Sequence, residues 1–276
     1  MKFIISLDTI GKSYVCLDPI STCRFDRLKA ISETMKSDYS HIKKMLPREY
    51  FKPYWPRLIP IISIWATGVA SVVAIAMTDL PWYFNICLSI LIGYCWSIGG
   101  LFSHEVLHGS VIRSRKWQDV IGFFGFLPYL ISPTFWRYWH NNLHHSHTQK
   151  TFLDPDAYHT LRVFKSSRFV QWMFPFTPGS GRKRSIFYFF FWFSFNAQVA
   201  QHYLRYRNRA FNKLNHKRVN LELALALLIH IGGFILVGPV NWLWAVFIPF
   251  AFMNYLPFSY ISTNHNLSPL TKHNDP

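Results

Sequence analysis

The chain has 276 residues, a formal net charge of +16, 50% apolar residues and only 15% charged ones. A soluble domain usually carries about 25% charged residues, so the composition argues against an ordinary soluble globule and points to lipid. A mean hydropathy of +0.11 still leaves a large share of the chain in water. Cys16, Cys23, Cys87 and Cys95 form no CxxC or zinc-like spacing and read as reduced residues with packing roles.

The first forty residues are mixed in composition and form a separate amino-terminal segment, 1–40, expected in the cytoplasm. Their start, MKFIISLDTIGK, has its apolar core cut off by Asp8 after five residues, whereas a signal-peptide core needs roughly 7–15. Membrane delivery is therefore expected from internal spans. Four apolar runs approach the 20 or so residues that cross a bilayer: Leu58 to Thr78, Pro81 to Phe102, Leu221 to Val237 and Val240 to Ser262. Glu222 stands at the edge of the third and His230 inside it. Asp79-Leu80 joins the first pair and Gly238-Pro239 the second, which predicts two tight helical hairpins.

Basic residues mark the cytoplasmic side of a membrane protein. Lys43, Lys44, Arg48, Lys52 and Arg57 precede the first run, and seventeen Lys and Arg face four acids between His104 and Arg218. The hairpin turns hold neither Lys nor Arg. Both termini and the long middle segment are thus expected in the cytoplasm, with the positive charge anchored on anionic lipid. Nucleic acid is not an expected partner, because the charges interleave with long aromatic runs. Ile121 to Ile131 and Ser185 to Ala200 are apolar but short and bounded by Lys and Arg. They read as helices lying in the membrane interface. The expected fold is an all-α integral membrane protein: four transmembrane helices in two hairpins, interfacial helices and a cytoplasmic histidine-rich cap.

HEVLH (His104 to His108) follows the second run directly. Residues four apart share a helix face with Cβ atoms roughly 5–6 Å apart, so His104 and His108 can reach one ion. In HNNLHHSHT (His140 to Thr148), His140 and His144 repeat that spacing. His145 reaches a neighbouring position, and His147 returns to the face of His140. NHNL, after the fourth run, brings His265 to the same membrane level. Imidazole suits zinc, copper, iron and nickel; calcium or magnesium would want carboxylates. His41, His159, His202, His216, His230 and His273 stand alone and read as surface or packing residues.

Together, HEVLH after the second run, HNNLHHSHT some thirty residues on, the trailing TQKTFLDPD and the closing NHNL resemble the membrane fatty acid desaturase superfamily, over approximately residues 50–270. The resemblance implies a membrane domain over 41–276 and two iron ions held by histidine boxes. It implies O2-dependent insertion of a double bond into an acyl chain, carried as an acyl lipid or acyl thioester. Electrons would come from a donor such as ferredoxin or cytochrome b5. His104 and His108 match the first box, and His140, His144 and His145 the second. His265 matches the histidine that closes the fourth span in many members; His147 stays a neighbour. Glu105, Asn141, Asn142, Asp154 and Asp156 are candidates to accept the outer N–H of ligating rings. The aromatics from Phe123 to Trp139 and the Gly99-Gly100 pair are candidates for an acyl tunnel lining, with ordinary packing as the competing role.

The family also carries a third box, HxxHH or QxxHH, after the fourth span. This sequence ends at SPLTKHNDP without one, so the expectation is a chain truncated before it. That keeps two alternatives open: an acyl-chain or lipid hydroxylase of the same superfamily, and an inactive remnant. A metal transporter would place ligands near the bilayer midplane, where only His230 lies.

Overall fold

A computed structural model describes residues 44–148, 154, 161–177 and 180–265. Segment 1–40, His41, Asp156, His159, His273 and the side chain of His265 lie outside the described residues. The described residues fall into two units. The smaller is represented by 44–51, with a helical turn at Arg48–Phe51. The larger, Lys52–His273, holds the long helices and both histidine segments.

No strand occurs among the described residues. Helix α1 spans Leu58–Met77 and α2 spans Trp82–Leu107. Pro81 starts α2, where a missing N–H costs nothing. The two run antiparallel: Trp65 lies over Gly99, and Gly68 lies against Cys95 and Trp96. A Cβ on Gly99 would stand 2.4 Å from the Trp65 indole nitrogen, and one on Gly100 would stand 2.7 Å from the Tyr129 ring. The glycine pair therefore serves close packing, the second of the two roles its sequence suggested.

Helix α3, Arg115–Phe126, folds back along α2, with Ser103 Oγ donating to the Ile121 carbonyl at 3.2 Å. A turn at Leu127–Tyr129 follows, and then Leu130 at φ +52°. A left-handed leucine is strained. It is held here by Gln198 Nε2 on the Tyr129 carbonyl at 2.8 Å and Gln201 Nε2 on the Leu130 carbonyl at 2.6 Å. This turn aims α4, Pro133–Arg137, which continues without a break through Tyr138–His144 to His147. Helix α5 covers Tyr188–Val199 and α6 covers His216–Val237. At Gly238 the chain turns with φ +81°, a backbone state that only glycine adopts freely. It remains helical from Pro239 through π-helical turns at Leu243–Phe247 into α7, Ile248–His265.

Trp55–Met77, Trp82–Leu107 and His216–Val237 are long and apolar enough to cross a membrane. Of the three, α2 is the most buried within the protein and α6 the least. Ser89 of α2 donates to the Trp244 carbonyl at 2.6 Å, and Gly93 faces Pro249 and Phe252. These pairings ascend together, so α7 runs parallel to α2. Beneath the histidine helix, Leu107, Phe126, Tyr129, Phe135, Trp136, Trp139, Phe211 and Met253 form the main core.

Candidate metal centre

The last turn of α2 carries His104, and His108 caps it, its N–H donating to the His104 carbonyl at 3.2 Å. The helix runs through the end of the expected span, so both rings project from one regular face. The second histidine segment begins with SPTF. Ser132 caps α4, its Oγ accepting the Phe135 N–H at 3.0 Å, and Pro133 takes the first position.

From Tyr138 to His144 the helix widens to π-type turns, and the His145 N–H donates to the His140 carbonyl five residues back. In a regular α-helix, position i+5 points about 140° away from position i. The wider turn swings His145 back toward His140, and such turns recur at functional sites.

The result is a chain of opposed ring nitrogens. His108 Nε2 lies 3.2 Å from His104 Nε2, which lies 2.7 Å from His140 Nε2, which lies 3.1 Å from His145 Nε2. The ligand nitrogens of all four residues fall within 4.8 Å of one another. A ring nitrogen offers one N–H or one lone pair, in a single direction. The nitrogens of His104 and His140 each face two partners, so hydrogen bonding does not account for the cluster. Four lone pairs so placed could hold a metal ion.

The surroundings favour the neutral form of His140 and His108. Burial first, then the four other imidazoles, pushes His140 well below the ordinary histidine range. Burial, then His104 and His145, lowers His108 to about 4. Neutral imidazole is the ligating form. Glu105 Oε1 accepts from His104 Nδ1 at 3.0 Å, which turns the other nitrogen toward the cluster as a lone pair. Trp136 stacks on His140, with ring centres 5.0 Å apart and planes 17° apart.

His144 has a different arrangement from the other four. Its ring stacks on His140 at 5.2 Å, and its Nδ1 donates to Asp154 Oδ1 at 2.9 Å. The two side chains are 2% and 0% exposed. Asn141 donates to the Leu107 carbonyl at 3.2 Å, which ties the two histidine segments together rather than serving a ring. Asn142 is exposed, and His147 lies outside the group of four. Of the six histidines expected as ligands, His104, His108, His140 and His145 converge. His144 adjoins them, and the side chain of His265 lies outside the described residues. Trp136 was not singled out from the sequence, although WRYWH places it one helical turn before His140.

The residues suit iron, zinc, copper or nickel by donor type, with four imidazoles and Glu105 turned outward to a ring nitrogen. A family model described as fatty acid desaturase matches residues 80–275. No curated protein matches the chain.

Proposed function

The chain belongs to the fatty acid desaturase family, and from that premise we propose that it is a membrane oxidoreductase that inserts a double bond into an acyl chain with O2. The observation that carries this reading is the convergence of four Nε2 atoms from two separate helices, over the same stretch that matches the family.

In this reading His104, His108, His140 and His145 hold iron, with His144 and His265 completing the ligand set. Iron would activate O2, the oxidant that takes two hydrogens from adjacent methylenes and, with two electrons from the donor and two protons, leaves as two waters. The protein's share is binding and orientation. Glu105 and Asp154 keep the protons of His104 and His144 on Nδ1, so that Nε2 remains the ligating atom of each ring. Trp136 fixes the plane of His140, and the aromatic core beneath keeps water from that side. Electrons arrive from a donor such as ferredoxin or cytochrome b5, and the substrate is an acyl lipid or acyl thioester.

The positive charge between His104 and Arg218 supports a topology with that segment and both termini in the cytoplasm. The continuous helical run from Pro239 to His265 supports a fourth crossing. Helices α3 and α5 are assigned to the membrane interface, with the histidine cap above them.

The test is expression of the full chain, followed by iron analysis of the purified protein and mass spectrometry of host acyl chains. Two irons per chain and a new double bond support the proposal. An added oxygen in place of the double bond makes the protein a hydroxylase. Bound iron below one equivalent, with unchanged acyl chains, overturns the enzymatic reading.

A further inference from the structure

We propose that Glu222, on α6, is a positioning residue for the histidine centre, setting the register of the helix that carries His140. The inference rests on reading the four histidines as a metal centre. Glu222 Oε2 accepts from Ser132 Oγ at 2.5 Å and from the Thr134 N–H at 3.1 Å. Its Oε1 accepts from Thr134 Oγ1 at 2.7 Å and from Arg218 Nε at 2.9 Å. A single carboxylate on an apolar helix thus holds the first turn of α4, where backbone N–H groups lack helical partners and favour negative charge.

Arg218 continues the circuit. Its second amino group meets Asp119 on α3 at 2.5 Å, and Asp119 meets Arg137 at 2.5 Å. Arg137 is the last residue of α4 and also lies 3.4 Å from Gln118 Oε1. The short helix is therefore gripped at its first turn by Glu222 and at its last by Asp119, with Arg218 joining the two carboxylates. The four charges cancel, and three of the four side chains are no more than 13% exposed. Immediately after Arg137 the π-type turns begin that present His140, and Trp136, inside the gripped segment, stacks on that ring. A shift of α4 along its axis moves His140 away from His104, whose nitrogen is 2.7 Å distant. Among the described residues, the histidine group of four draws on none from α6, so Glu222 acts on it through α4.

Cobalt(II) is the probe, titrated into the purified full chain and its variants in detergent and read by affinity and ligand-field absorption. Glu222→Ala is expected to bind cobalt at least about 10-fold more weakly, with a shifted spectrum, as loss of an outer support does elsewhere. Glu222→Gln keeps an acceptor oxygen for Thr134 and is expected to recover most of the affinity. Ile75→Ala empties a buried position in the cluster with Ile92 and Ala245, on a helix that carries none of the histidines. It controls for general destabilisation and should leave the spectrum unchanged. Wild-type affinity and spectrum in a folded Glu222→Ala protein, or an equal spectral shift in Ile75→Ala, overturn the proposal. If Glu222→Ala fails to fold, Thr134→Val decides by the same readouts: a shifted spectrum supports the proposal and an unchanged one overturns it. A wild-type chain that binds no cobalt removes the metal reading, and this inference with it; a chain that binds cobalt but ignores Glu222 removes only the inference.

Discussion

Asp154 offers a direct check on how the histidine helix is supported. Its Oδ1 accepts from His144 Nδ1 at 2.9 Å, and neither side chain has appreciable contact with solvent. A hydrogen bond to a charged group is worth about 1.5–3 kcal/mol, and one between neutral groups about 0.5–1.5. Asp154→Asn, which can still present an oxygen, should therefore cost about 1 kcal/mol. Asp154→Ala strands a buried imidazole N–H, which adds its own desolvation penalty of about 1–3 kcal/mol. The larger effect falls on the metal. With the Nδ1 proton no longer held, the His144 ring loses its fixed tautomer and loosens its stacking on His140. Loss of such a carboxylate partner lowers metal affinity about 10–100-fold, equivalent to about 1.4–2.7 kcal/mol. Competition for iron against a calibrated chelator reads the affinity, and denaturant-induced loss of helical circular dichroism reads the stability. The expected order of iron retention is wild type, Asp154→Asn, Asp154→Ala. Wild-type retention in a folded Asp154→Ala protein would refute the assignment of His144 and Asp154 to the support of the centre.

The same geometry sets three further outcomes. His140→Ala removes the nitrogen that faces both His104 and His145 and should abolish iron retention, whereas His230→Ala, whose ring meets the Leu127 carbonyl at 2.9 Å and the edge of Trp242, should retain it; metal analysis of the two variants decides. His108 is held at about 4 against an ordinary 6.5, so the folded metal-free protein binds fewer protons than the unfolded chain between those values. Its stability should hold above pH 6.5 and fall as pH drops through 6.5 toward 4, the sign that linkage requires; a denaturation series across pH tests this, and stability that rises on acidification contradicts it. A Cβ on Gly125 would stand 1.7 Å from Ser103 Oγ and 2.6 Å from the Gly99 carbonyl, so Gly125→Ala should push α3 from α2 at a cost of about 1–3 kcal/mol, visible as a lower unfolding midpoint.

The helices were legible because their signal is local. A run such as LIPIISIWATGVASVVAIAM needs no partner to read as a span, and Gly238-Pro239 carries its own reason to turn. The boundaries were less legible. Helix α2 extends to Leu107, beyond the apolar run, because SHEVL is as good a helix former as the residues before it. Helix α6 begins at His216, because Asn215 caps it by accepting the Arg218 N–H at 3.1 Å. Apolarity marks where a helix is greasy rather than where it starts. Glu222 illustrates the same limit. At the edge of an apolar run it reads as a boundary mark, and its partners at Ser132 and Thr134 lie some ninety positions away, a distance that no periodicity reports.

The centre divides along a similar line. The pairing of His104 with His108 follows from a spacing of four on a regular helix, and the structure keeps it at 3.2 Å. The same rule applied to HNNLHH favours His144 as the partner of His140 and leaves His145 to one side. The backbone widens there instead, and His145 Nε2 comes to 3.1 Å from His140 Nε2 while the His144 ring turns to Asp154. A π-type turn forgoes regular i→i−4 bonding and persists where tertiary contacts over-determine it. Those contacts are the Ser132 cap, the Glu222 and Asp119 grips on α4, and the aromatic bed of Phe135 and Trp139. Spacing in the sequence therefore supplies the candidates. How His144 and His145 differ in placement, one against Asp154 and the other in the group of four, depends on the wider helical turn and on partners outside the motif.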